Sequence, residues 1–252
     1  MSIIKVIRQY RLVNLRIASY NFNPGVLSTL ITFVMLYVMM SLGFWQLDRA
    51  SYKETLQQTI EQRKELPLAD IGSLEGTQQE RRYRPVELYG QYDVEHSFLL
   101  DNRILNGQVG YQVLTPFITS DAGAVLVARG FVALGQSRKQ LPPLDTPAET
   151  SSIKGLLDMP PAKALVLADN VQQTDRWPIV LQYVDIAELS GLLGYPLYDM
   201  QVWLDADSVS AYRYNLPALS LNAAKNNGYA FQWFAMSLAL LIIYLVVNTK
   251  RK

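Results

Sequence analysis

The chain has 252 residues, half of them hydrophobic, and a formal charge of only +1. It contains no cysteine and one histidine, His96, which excludes disulfide bracing, thiolate nucleophiles and cysteine-based metal sites. All 22 acids lie within residues 48–227 against 16 basic residues, a charge of −6 that argues against nucleic-acid binding.

Residues 1–25 hold Lys5, Arg8, Arg11 and Arg16 and no acid. Val26 to Trp45 is then free of charge, and about 20 apolar residues suffice for a helix to cross the hydrocarbon core. Residues 26–47 are predicted to be the first transmembrane helix. Leu47-Asp48-Arg49-Ala50 follows instead of an Ala-x-Ala cleavage site, so an uncleaved anchor is expected. Trp45, Arg49 and Lys53 are spaced four apart and share a helix face. That face reads either as an interfacial aromatic and basic collar or as a docking surface.

Gln46 to Glu65 lacks glycine and proline and should continue the helix, with Pro67 ending it. Ile71 to Arg84 reads as a loop whose Glu80-Arg81-Arg82 cluster is a solvated surface. Tyr83–Tyr92, Ser97–Leu100, Gly110–Phe117, Ala124–Ala133 and Ser152–Leu157 read as strands. Asn106-Gly107 and Asp121-Ala122-Gly123 supply hairpin turns. The short spacings leave no room for crossover helices, so antiparallel pairing is expected. Gly135 to Thr150, with three prolines, is an irregular excursion. Ile179–Val184 should be a strand, Asp185–Leu193 a helix capped by Asp185, and Gln201–Leu204 a late strand.

Tyr229 to Val247 is again uncharged, and Gln232 is its only strongly polar side chain. Residues 228–248 are predicted to be the second transmembrane helix, and 249–252 a second basic tail. Basic flanks stay inside, so both termini are expected in the cytoplasm. Residues 48–227 are then an extracytoplasmic domain. The fold expected is a membrane-anchored α+β one: two transmembrane helices flanking one mostly antiparallel, barrel-like β domain. A bacterial inner membrane is the expected location, with the mitochondrial inner membrane as the alternative.

Candidate chemistry is sparse. His96 lies in a polar Val-Glu-His-Ser context and reads as a surface residue. Asp205 and Asp207 share a strand face but read as solvated acids. Tyr229, Gln232 and Met236 lie on one face of the second span, with Trp233 adjacent. Ala235 and Ala239 form a small-xxx-small pair suited to a close helix neighbour. Trp45–Arg49 and Asn226–Trp233 meet the same outer interface under the predicted topology.

Four segments carry a resemblance. They are Leu42-Gly43-Phe44-Trp45-Gln46-Leu47-Asp48-Arg49 with Lys53; Leu100-Asp101-Asn102-Arg103 with Gly107 and Gly110–Pro116; Leu126–Val132; and Gly228–Phe234. In this order they resemble the surfeit locus protein 1 family, assembly factors for cytochrome c oxidase, over nearly the whole chain. The resemblance implies a non-enzymatic role in maturing the catalytic subunit of a haem-copper oxidase, by assisting haem a insertion. The alternative is a static two-span scaffold subunit of another envelope complex.

By that resemblance Asn226, Tyr229, Gln232, Trp233 and Met236 are the candidate cofactor-binding residues. Trp45, Gln46, Arg49 and Lys53 are the candidate partner-docking residues. Family members commonly carry a histidine where Asn226 stands, and an amide is a poor iron ligand beside imidazole. Ala128 and Phe131 likewise replace an asparagine and a tryptophan. Haem a is thus a transient cofactor at most, and the partners implied are the oxidase catalytic subunit and the lipid bilayer.

Overall fold

The structure is a computed structural model. It describes residues 15–17, 19–120, 123–135, 138, 140–148, 152–161, 170–171, 176–212 and 222–251. Lys5, Arg8, Arg11 and Lys252 of the basic tails lie outside the described residues, as does Asp121-Ala122 of one expected turn. In chain order the elements begin with β1 (Leu15–Ile17), β2 (Tyr20–Phe22), α1 (Val26–Lys64) and α2 (Gln78–Arg81). Strands β3 (Pro85–Tyr92), β4 (Phe98–Leu105), β5 (Gln108–Thr119), β6 (Ala124–Ala133), β7 (Ser152–Asp158) and β8 (Ile179–Leu181) follow. The chain then forms α3 (Ile186–Leu193), β9 (Leu197–Leu204), α4 (Ala223–Asn248) and β10 (Thr249–Arg251). Two compact units result: Met1–Gln58 with Leu221–Lys252, and Thr59–Ser220.

Among the described residues two helices, α1 and α4, are long and apolar enough to cross a membrane, and the first unit holds α4 and α1 as far as Gln58. Helix α1 is 39 residues long and continues past its apolar stretch, because the residues after Trp45 are strong helix formers. It stops at Lys64, ahead of Pro67. Strand β2 pairs antiparallel with β1 on one side and β10 on the other. That pairing sets the start of α1 beside the end of α4.

The second unit is a five-stranded barrel. Its strands run β3–β7–β9–β6–β5, and Gly90–Tyr92 of β3 pairs with Phe117–Thr119 of β5 to close the ring. Strand β5 serves two partners because it is long and bends at a bulge between Val113 and Leu114. Its first half pairs with β4 through a hairpin at Asn106 (φ 49°) and Gly107 (φ 80°), the two positive values of a type I′ turn. Val86, Leu88, Val125, Val127, Ile153 and Val202 fill the barrel. Each such side chain contributes roughly 1.5–3 kcal/mol on burial.

Outside the barrel, α3 covers Phe98, Leu114, Leu126 and Ile179. The helix starts where Asp185 accepts the Ala187 and Glu188 amides and ends at Gly194 (φ 77°). Pairing is mostly antiparallel, as expected, and two pairs, β6–β9 and β4–β8, are parallel. The spacing argument limits only sequential strands, and more than one element separates each of these pairs.

Candidate functional site

The seam between α1 and α4 recurs every three and four residues. Thr29, Thr32, Leu36, Met39, Gly43, Gln46, Ala50 and Lys53 are the α1 positions turned from solvent, answered by Asn226, Ala230, Trp233, Ser237, Leu240 and Tyr244. A 3.5-residue period keeps one stripe facing a partner along a left-handed crossing. The helices meet closely because the contact residues are small. A Cβ on Gly43 would stand 2.5 Å from the ring of Phe234, which itself packs edge-on against Phe44 at 5.4 Å. Ala50 and Ala230 are completely buried opposite one another's helix.

Polar bonds close the seam at both ends. At one, the Thr29 and Tyr244 hydroxyls lie 2.7 Å apart. At the other, Lys53 Nζ donates to Asn226 Oδ1 at 2.8 Å, and Asn226 Nδ2 donates to Gln46 Oε1 at 2.6 Å. Thr29 and Gln46 are about 26 Å apart along α1 at 1.5 Å per residue, close to the thickness of a hydrocarbon core. The clasps therefore sit where an apolar slab would end.

Three of the candidate residues, Gln46, Lys53 and Asn226, are thus joined in one hydrogen-bonded chain. Trp45 and Arg49 are exposed beside it on the same uninterrupted helix. Tyr229, Gln232 and Met236 are exposed on a flank of α4 beside the seam, while Trp233 is half-buried on the seam. Ala235 and Ala239 were expected to receive the neighbouring helix. Both are exposed instead, because Ala230 and Ser237 occupy that seam.

In the β unit the notable groups escaped the sequence reading. Arg129 is fully buried. It donates to Ser210 O at 3.0 Å, to Thr146 Oγ1 at 2.8 Å and to Asp145 O, between the rings of Tyr92 and Tyr212 at 5.0 Å each. Burial lowers its pKa. The adjoining Gly130 has φ 123°, and a Cβ there would meet Tyr212 O at 2.7 Å. An arginine following Val125 and Val127 at alternate positions was the available signal, since that alternation points it into the barrel.

His96 is not an open surface residue as expected. Its Nδ1 lies 2.6 Å from Asp93 Oδ2, which also accepts from the Tyr195 hydroxyl at 2.5 Å, and its ring stands edge-on to Trp177 at 4.5 Å. Burial alone would raise the Asp93 carboxyl, but bonds from Tyr195, His96 and the Glu95 amide hold it below its ordinary value. Burial and that carboxylate push the Tyr195 phenol up. The arginine cluster is likewise not solvated. Arg81 pairs with Asp199 at 3.0 Å and Arg82 with Asp158 at 2.5 Å. Asp205 and Asp207 are exposed, and partial burial raises the pKa of Asp205.

The donor set does not fit an axially ligated haem. Both polar ends of Asn226 are engaged, Tyr229 and Met236 face outward, and His96 is fixed by Asp93 in the other unit. Among the described residues no group of three or more histidine, aspartate or glutamate side chains could hold a metal ion.

Comparison with known proteins adds the remaining findings. The model of the SURF1 family matches residues 33–238. A SURF1-like protein of Rickettsia bellii is 28% identical over 228 residues, covering 87% of this chain and 89% of the relative. Surfeit locus protein 1 of Xenopus tropicalis is 28% identical over 177 residues, 61% of this chain and 54% of the relative. The cytochrome oxidase assembly protein SHY1 of Saccharomyces cerevisiae is 29% identical over 181 residues, 67% of this chain and 46% of that protein.

Proposed function

Since this chain belongs to the SURF1 family, we propose that it is a non-catalytic assembly factor for cytochrome c oxidase, acting on the catalytic subunit. A relative named as a cytochrome oxidase assembly protein supports the oxidase role. Two membrane-compatible helices and bacterial relatives support a bacterial membrane protein. The location we infer is the inner membrane with both tails cytoplasmic. Support comes from the β2–β10 pairing, which brings the tails together, and from their basic residues.

The observation that carries the docking reading is the uncovered side of α4. Tyr229, Gln232 and Met236 remain exposed on a flank of α4 although α1 is seated on the seam beside them. A glutamine on an apolar span is costly unless another polar group meets it. An oxidase helix carrying such a group would satisfy it, with Trp45 and Arg49 at the rim. The chain supports haem a insertion by holding the subunit, and iron ligation is left to that subunit.

The test is deletion followed by a reduced-minus-oxidised spectrum of the membranes. The haem a signal should fall while other cytochromes persist. An unchanged spectrum, with the protein in permanent association with a different complex, would replace this reading by that of a static scaffold subunit. Purification from cells making haem a should give no stoichiometric Soret band.

A further inference from the structure

Strands β1, β2 and β10 have three residues each. The ring of Phe22 packs against Tyr244 at 6.0 Å. So short a sheet is not stable alone in water. Arg16 stands opposite Asn21 on one side and Lys250 opposite Asn21 on the other, while Arg251 stands opposite Tyr20.

No acidic side chain lies near these positions in the sequence. None precedes Asp48 in the sequence and none follows Asp207. Asp48 itself lies about 33 Å up α1 at 1.5 Å per residue. Lys250 and Arg251 are exposed, and so is Tyr20. The sheet is also fixed at one level. Strand β10 begins at the residue after α4, and β2 ends just before α1. Wherever these helices cross a bilayer, the sheet lies among its headgroups, where the amphipathic ring of Tyr20 is favoured.

We propose that the β1–β2–β10 sheet is a binding surface for anionic phospholipid headgroups, which complete it and thereby fasten the ends of the two spans together. Lipid phosphate supplies the counter-charge, at roughly 1 kcal/mol per basic residue near the surface. Lys250 and Arg251 are exposed on a strand paired with β2, so a headgroup is met by the sheet and not by a loose tail. The inference rests on the helices crossing a bilayer and is independent of the oxidase role.

The absence of native cysteine makes the test direct. Phe22→Cys and Thr249→Cys occupy directly opposed positions and leave every cation in place. The full chain is reconstituted in vesicles of phosphatidylcholine or of an equal mixture with phosphatidylglycerol, and disulfide formation is timed. Cross-linking should be about tenfold faster in the mixture, the equivalent of little more than one basic contact. Adding Lys250→Gln and Arg251→Gln should abolish the difference, and inorganic phosphate with neutral vesicles should not restore it.

Equal rates in the two vesicles would overturn the proposal. So would a lipid effect that survives the charge removal, or one reproduced by free phosphate. Native mass spectrometry of the unlabelled chain provides a second reading. It should retain phosphatidylglycerol over phosphatidylcholine, and Lys250→Gln with Arg251→Gln should lose that preference. Retention without preference in the native chain would count against the proposal.

Discussion

Lys53 of α1 donates a 2.8 Å hydrogen bond to the carboxamide oxygen of Asn226 on α4. The amide of the same asparagine donates to Gln46, one heptad earlier on α1. Asn226 therefore acts as a fastener between helices, holding α1 with both its carboxamide oxygen and its amide. Asparagine can do this because it is donor and acceptor at once.

Removing either partner should loosen the helix pair. Lys53→Ala and Asn226→Ala are expected to show a coupling of about 0.5–1.5 kcal/mol in a double-mutant cycle. Thermal melting of the detergent-solubilised chain measures it. Strict additivity would show that the bond does not hold the pair.

Gly43 should tolerate no bulky side chain. Its Cβ position lies 2.5 Å from the Phe234 ring, so Gly43→Leu must part the helices. Label pairs placed at Thr32 and Ser237 should move apart by about a side-chain diameter, given interaxial distances of 8–10 Å. Membrane haem a absorbance should fall with them.

Arg129 holds Ser210, Thr146 and Asp145 to the end of the barrel. Arg129→Met leaves those acceptors unpaired and should cost about 2–4 kcal/mol. Arg129→Lys should recover only part of it, since an ammonium lacks the planar fork. Urea titration of the solubilised chain separates the two.

Asp93 has a depressed pKa in the folded chain. Its contribution to stability is therefore complete above the unfolded value of about 3.9 and is lost as pH falls through the lower folded value. Asp93→Asn should lower the melting temperature at neutral pH and flatten the decline below about pH 4. An acid limb as steep as the native one would show that Asp93 does not carry it.

Gln232→Leu should leave the melting temperature unchanged or raise it, because Gln232 is exposed and lies off the seam stripe. Membrane haem a absorbance should nevertheless drop. A variant with full oxidase would remove this face from the docking surface.

Much of the fold was legible from local chemistry. Ala124–Ala133 forms the expected strand to the residue, Asp185 caps its helix, and Asn106-Gly107 turns its hairpin. Each depends on neighbours within a few positions. The arginine cluster was misread because its acids are remote: Asp158 lies 76 positions from Arg82 and Asp199 lies 118 from Arg81. Sequence spacing could not bring them together. The seam was misplaced for a related reason. Both Ala235–Ala239 and Ala230–Ser237 offer small residues, and only the position of α1 chooses between them.

By itself the sequence determined that this chain has two long apolar helices and a cysteine-free, acidic β unit between them. Those properties are sums over neighbouring residues, and hydrophobicity and propensity add locally. Tertiary structure alone decided that β5 closes a barrel onto β3, that Arg129 is caged between two tyrosines, and that Asn226 is bound from both sides. Each of those depends on groups far apart in the chain meeting at hydrogen-bond distance. Burial then makes an unmade bond expensive, which is what fixes the arrangement.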